Sequence, residues 1–471
     1  MQLIADLQLH SKYSRAVSQE MVIPKMYEWN LKKGIGLLAT GDWTHPLWIR
    51  ELKANLEEQG NGILRLKREI KEHLLKTSGS SEGILKRVQD DKRQLDPLFL
   101  LSGEVSCIYT HNGKGRRNHI LMFAPSFAVV DRINDELRKR GCNLSSDGRP
   151  IIGLSSQEVC EVVWSISEEV LVIPAHAWTP WFSTFGSMSG YDSLAECYGE
   201  FSKNIYAIET GLSSNPAMNW RVKELDTQTL ISCSDSHSGP KLMREATIYA
   251  KPGSDSFTFN DISTALKNWQ RDKTKAYIAA TLEFYPEEGK YHFDGHRACN
   301  VRMHPADTKQ KGVICPVCGK PMTIGVMHRV EDLAGRSEQE LKLVKKQLGD
   351  FPVQAIYSET FPNRAPYIMM VPLQEIIAES MGVQSYSKKV MAEYEKLVAA
   401  FGGEFTVLFK TNSSEIARVS NPKIAEGVEK VRKGEITIQP GYDGTFGIVK
   451  IWKDEASAPE AEDQKEQLSL L

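Results

Sequence analysis

Up to about residue 285 the chain alternates short apolar runs with longer, helix-prone stretches. The runs MQLIAD, GIGLLAT, PLFLLSGEV, NHILMFA, VLVIPA, IYAIE and TLISC show little inside–outside alternation and read as buried parallel strands. Helix-like sequence usually follows each of them. That order predicts an α/β barrel, in which the strand C-termini share one face. Two stretches depart from it. Residues 46–95 hold IRELKANLEEQG and ILRLKREIKEHLLK, broken by TSGSSEG, and predict a helical insert. Asn112-Gly113, between two strand-like segments, predicts a tight hairpin. From residue 331 the chain reads as mostly helical and charged, with YSKKVMAEYEKLVAAFG and PKIAEGVEKVRKG, before a strand and a Gly-rich hairpin in EITIQPGYDGTFGIVKIW.

A chain of 471 residues is too long for one ordinary core. The expected division is a barrel over 1–285 with its insert at 46–95, a small module over 286–330, a mainly helical domain over 331–452 and a disordered tail over 453–471. Apolar residues make up 41% and charged residues 25%, with no membrane-spanning run and no signal-peptide pattern, so a cytoplasmic chain without a membrane partner is expected. With 58 basic and 60 acidic residues, net charge is silent about nucleic acid, and any basic surface must be local. Cys107, Cys142, Cys160, Cys197 and Cys233 are scattered singly and read as free thiols of a reducing compartment. Cys299, Cys315 and Cys318 are clustered instead.

The residues at the strand ends bring chemistry into the pattern. Asp6 and His10 end the first run, and Asp42 and His45 the second. Glu104 lies in the third, His119 opens the fourth, and His176, Glu209 and the pair Asp235 and His237 end the others. Five of the 11 histidines thus stand beside strands whose ends should converge. Imidazole mixed with carboxylate is what borderline divalent ions favour, so a shared metal centre is expected. In the turn HNGKGRRNH, Lys114, Arg116 and Arg117 precede His119; they suit phosphate contact at the rim, or are an ordinary basic turn. Trp178 and Trp181, with Phe182 and Phe185, crowd the loop after His176. They would stack on a base or wedge a duplex, or else form a satellite core under the loop.

A second set stands apart. His296-x2-Cys299, then fifteen residues, then Cys315-x2-Cys318 has the spacing of a zinc ribbon. His304 competes for the histidine position, and His296 is preferred because it makes two matched pairs. Four protein ligands leave no open coordination position, so a structural Zn²⁺ is expected.

The strand-end motifs, in this order, resemble the PHP family (polymerase and histidinol phosphatase), whose fold is a distorted seven-stranded α/β barrel with up to three metals. The resemblance implies ligand roles for His10, Glu104, His119, His176, Asp235 and His237, with Glu104 bridging metals, and for Asp42 or His45. GDWTH separates those last two by two residues, unlike the family's Thr-Asp-His, and leaves open which of them coordinates. Gln8 stands where a histidine is usual. An amide oxygen is a weak ligand, so the expectation is an active site with two or three divalent ions (Zn²⁺, Mn²⁺ or Mg²⁺) and one weakened position. The whole order, from barrel with insert through His-x2-Cys…Cys-x2-Cys to PGYDGTFG, resembles the endonuclease Q family over nearly the full chain. That implies DNA repair: nicking of duplex DNA on the 5′ side of deaminated bases (uracil, hypoxanthine, xanthine) and abasic sites. Two rivals remain, a PHP phosphatase acting on a small phosphomonoester and a non-catalytic DNA-binding scaffold. A helicase is excluded by the lack of a G-x4-G-K-[ST] phosphate loop.

The acidic stretch KDEASAPEAEDQKE has too little apolar content to fold and reads as a tether. The five residues after it, QLSLL, resemble the pentapeptide by which bacterial repair and replication proteins dock on the sliding clamp. The resemblance makes Gln467, Leu468, Leu470 and Leu471 the contacts. A peptide of residues 460–471 should bind the bacterial clamp with micromolar affinity, because few contacts must also offset the ordering of a flexible segment. Fluorescence anisotropy checks this: Gln467→Ala with Leu470→Ala should abolish the signal, and silence of the native peptide at high micromolar clamp removes this partner.

Overall fold

The computed structural model describes residues 1–77, 96–253 and 256–452. Part of the insert and the clamp-type tail, 453–471, lie outside the described residues. The barrel region holds β1 (Gln2–Asp6), β2 (Leu37–Ala39), β3 (Leu56–Glu58), β4 (Leu64–Leu66), β5 (Leu98–His111) and β6 (Lys114–Ala124). It continues with β7 (Ile151–Ile152), β8 (Leu171–Pro174), β9 (Ala207–Glu209), β10 (Thr229–Ile231), β11 (Ala246–Ala250) and β12 (Tyr277–Glu283).

β1, β2 and β5 run parallel, and β9 and β10 form a second parallel pair. β5 and β6 are antiparallel through Asn112-Gly113, both at positive φ (51° and 73°), the combination that a two-residue type I′ turn demands. β8 lies antiparallel to β6, and β11 to β1. The weak alternation of the runs has a simple cause, because both sheet faces are covered. Leu37, Leu98, Leu100, Leu121, Ile173 and Ile231 fill one apolar cluster; Leu38, Phe99, Leu101, Ile120, Val172 and Ile208 face the other way into a second.

Two expectations need correction. The insert does contain the helices Pro46–Asn55 and Arg68–Thr77, but β3 and β4 separate them and β4 pairs with β5. Gly60 and Gly62, at φ 73° and 79°, stop the helical path, while Leu56, Leu64 and Leu66 offer the buried positions of a hairpin. Nor is the chain helical from residue 331. After the hairpin β13 (Asp294–His296) and β14 (Val301–Met303), three strands extend the barrel sheet: β15 (Leu343–Gln347), β16 (Gln354–Ser358) and β17 (Tyr367–Met369). β17 pairs in parallel with β12, which makes the sheet thirteen-stranded. The aromatic and β-branched content of QAIYS and YIM suits this ladder better than a helix. The helical region begins at Leu373 and runs through Leu373–Met381, Lys388–Phe401, Glu404–Phe409, Ser413–Val419 and Pro422–Lys433. The hairpin of β18 (Thr437–Gln439) and β19 (Ile448–Lys450) follows it. Among the described residues no helix is long and apolar enough to cross a membrane.

Ion pairs tie the barrel to these helices, and one of them is fully buried. Lys33, at the end of the helix Ile23–Lys33, donates to Glu404 Oε2 at 2.6 Å, with side chains 1% and 2% exposed. Tyr394 Oη (2.8 Å) and Leu373 N (3.0 Å) also donate to Glu404, so its carboxylate is well solvated by protein. Lys33→Met should cost about 3–5 kcal/mol in urea unfolding, because it strands a buried carboxylate. Adding Glu404→Leu should recover most of the loss; an unchanged midpoint in Lys33→Met would show that the pair does not hold the two regions together.

Candidate metal centre

β1 delivers Gln8 and His10 into the barrel mouth. Asp42 Oδ1 holds the Nδ1 of His10 at 2.9 Å. Asp42 itself accepts from Ser11 N (2.6 Å), Ser11 Oγ (2.7 Å) and Ser14 Oγ (2.8 Å). This leaves the Nε2 of His10 turned toward Asp235 Oδ1 (3.2 Å) and Glu104 Oε2 (3.4 Å). Burial opposes a charged His10, yet Asp42 and Asp235 outweigh it and raise its pKa well above the usual imidazole range. This corner of the site is built to hold positive charge.

Glu104 projects from the middle of β5. Its Oε1 lies 2.7 Å from His119 Nδ1 and 3.6 Å from His176 Nε2, and its Oε2 accepts from Gln8 Nε2 at 2.7 Å. Burial would neutralise the carboxyl, but Arg149 and His119 hold it well below the usual carboxylate range. Burial and the facing Arg149 push His119 down to about 3, so it presents the neutral imidazole that metals bind. His119 Nδ1 and His176 Nε2 are 3.1 Å apart. His176 donates its backbone N–H to Glu209 Oε2 (2.6 Å) and sits at φ 28°. Asp42 (φ 49°) and Asp235 (φ 46°) share that left-handed backbone. Such conformations cost energy and persist where the surroundings over-determine them.

Two three-residue sets result, His10 with Asp235 and His237, and Glu104 with His119 and His176; within each, one ligand atom per residue lies within 4.8 Å of the others. The donor types fit divalent ions, and buried groups of this kind need a cationic partner. Buried Gln8 Oε1 has no hydrogen-bond partner beside them.

Other candidates fall elsewhere. Gln8 and Asp42 lie outside both sets, one bracing Glu104 and the other aiming His10. His45 also lies outside and stacks on Tyr13 at 4.4 Å, so of the pair in GDWTH it is Asp42 that touches the centre. Trp178 is corrected outright. It is 1% exposed, donates from Nε1 to Asn219 Oδ1 (2.7 Å) and packs on Phe185, so it is core and has no face to offer a base. Arg116 turns inward, donating to Gly190 O and lying 4.0 Å over the Tyr191 ring. Lys114 and Arg117 are exposed, and Trp181 is half-buried against Tyr291. Arg149, which does reach the centre, carries no strand-end signal in the sequence.

His296, Cys299, Cys315 and Cys318 bring their ligand atoms within 4.8 Å of one another. His304 instead accepts from Ala306 N and caps the helix Pro305–Lys311. Burial disfavours the Cys315 thiolate, but the N–H groups of Cys318 and Val317 outweigh it and bring the thiol down to about 6. A thiolate stabilised in this way is the form in which cysteine binds a metal ion.

The model for the MJ0043 C-terminal domain matches residues 372–435. Protein MJ0043 of Methanocaldococcus jannaschii is 29% identical over 280 residues, 58% of this chain but 31% of that protein. YqxK of Bacillus subtilis is 30% identical over 338 residues, covering 70% of this chain and 73% of YqxK. The lesion-specific endonuclease PfuEndoQ from Pyrococcus furiosus superposes with a TM-score of 0.74 at 27% identity over 96% of this chain and 95% of that one. A second endonuclease Q structure, in complex with a 27-mer duplex substrate bearing an abasic lesion at the active site, gives the same TM-score and identity over 96% and 97%.

Cys315→Ser should lose one ion per chain by mass spectrometry of purified protein and open residues 294–323 to protease, since so small a module depends on its metal. Unchanged metal content and unchanged digestion would rule the four-residue set out as an ion site.

Proposed function

Because this chain belongs to the endonuclease Q family, we propose that it is a DNA-repair endonuclease that hydrolyses the phosphodiester 5′ to a deaminated base or an abasic site. The observation that carries this reading is Glu104, which joins His119 and His176 through Oε1 and faces His10 of the other ligand set through Oε2. Divalent ions held there would lower the pKa of bound water and clamp the scissile phosphate. The chain's own residues prepare the site. Asp42 accepts a hydrogen bond from the Nδ1–H of His10, which leaves Nε2 facing the centre; Gln8 steadies Glu104; and Glu209 pins the strained backbone at His176. Lys114 and Arg117 stand exposed at the turn end of β6, suited to the phosphate backbone, and half-buried Trp181 is an aromatic placed to meet an extruded nucleotide. The four-residue set would hold a structural Zn²⁺, and that module with the C-terminal helices would grip the duplex.

The direct test incubates end-labelled duplexes carrying one uracil, hypoxanthine or abasic site with Mg²⁺, Mn²⁺ or Zn²⁺ and maps the nick. Asp235→Asn and His176→Ala should each abolish nicking while duplex affinity stays within a few-fold. Nicking retained in both variants would dismiss this centre, and a nick on the 3′ side would refute the proposed bond.

A further inference from the structure

Arg149 belongs to the loop between the helix Phe127–Lys139 and β7, and that loop is fastened over the centre. Gly148 N donates to Tyr13 O (3.0 Å), and Thr44 Oγ1 donates to Gly148 O (3.2 Å). Asp147 accepts from Arg15 N (3.2 Å) and Arg149 N (3.0 Å), and Ser106 N donates to Pro150 O (3.0 Å). A Cβ at Gly148 would stand 2.3 Å from both Asp42 Oδ2 and Ser14 Oγ, so only glycine lets the chain pass this close. The next side chain therefore enters the centre itself. Arg149 Nη1 lies 3.3 Å from His10 Nε2 and 3.4 Å from Glu104 Oε1, touching one member of each ligand set. Its side chain is 26% exposed against 2% for Glu104, so Arg149 is the more accessible partner of this pair.

Gln8 braces the same carboxylate. Its amide gives Glu104 Oε2 a neutral donor on one side, and Arg149 gives Oε1 a permanent charge on the other. A guanidinium does not deprotonate and presents paired N–H groups matched to phosphate oxygens. We propose that Arg149 is a built-in cation of this centre: it takes the place of a third divalent ion beside Glu104 and binds a non-bridging oxygen of the scissile phosphate. The phosphate half rests on the nuclease reading above; the charge half does not.

The two halves are measured separately. Metal content of the full chain, purified from Zn²⁺- or Mn²⁺-supplemented medium, should match the three ligand sets in the wild type and in Arg149→Lys. Gln8→His with Arg149→Met should gain about one further ion, because the double change restores a ligand and removes a competing charge. A double variant that folds by circular dichroism with unchanged metal content overturns the replacement. On a lesion duplex, Arg149→Ala should lose about 100-fold in kcat with KM within a few-fold, the scale of losing one oxyanion donor. Millimolar guanidinium should restore part of that rate, which a merely structural role would not allow. Full activity in Arg149→Ala, or loss of metal together with activity, overturns the phosphate contact. If the wild type nicks no lesion with any ion, the nuclease reading fails, and the phosphate half with it, while the metal count still decides the charge half.

Discussion

A carboxylate that is 2% exposed cannot stay ionised without close positive or hydrogen-bonding partners, because the cost of burying the charge runs to several kcal/mol. Glu104 meets that requirement from every side, with Gln8 and His10 at one oxygen and His119, His176 and Arg149 at the other. Those partners come from the segment after β1, from β6, from the loop after β8 and from the loop before β7. The centre is therefore a product of the barrel's closure around one anion, and a change in any of these elements is felt at Glu104.

The same constraint accounts for the unusual backbone around it. Asp42, His176 and Asp235 all adopt left-handed φ, a conformation side chains other than glycine rarely accept. Each is held by what surrounds it. Asp42 follows Gly41, whose Cβ would stand 2.5 Å from Leu9 O, and His176 presses on Gly211, where a Cβ would stand 2.6 Å from the histidine's own Cβ. Glycine is thus used where two chain segments must cross to aim a ligand. Outside the centre, the buried pair Lys33–Glu404 and the parallel pairing of β17 with β12 make the C-terminal region continuous with the barrel.

Much of the candidate centre was legible from the chain alone. His10, Glu104, His119, His176, Asp235 and His237 stood out because a buried strand announces itself by composition, and a polar residue at its end has few reasons to be there. The Asn112-Gly113 turn and the His296, Cys299, Cys315 and Cys318 set were legible for the same kind of reason, since turn geometry and ligand spacing are local properties. What sequence could not supply was the direction of side chains. Trp178 and Arg116 carry the composition of a nucleic-acid contact, yet packing on Phe185 and the bond to Gly190 O turn both inward. The strands at 343–369 were missed because their pairing partner, β12, lies far away in sequence, and a ladder's stability depends on that partner. Arg149 was invisible for the strongest version of this reason: nothing in SSDGRP marks a site residue. Its role follows from a glycine that fits against Asp42 and Ser14, a contact that exists only once the barrel has closed. The sequence by itself determined the pool of candidate ligands, because those depend on local pattern; the tertiary structure decided which of them meet and which charges face them, because packing and electrostatics act through space and not along the chain.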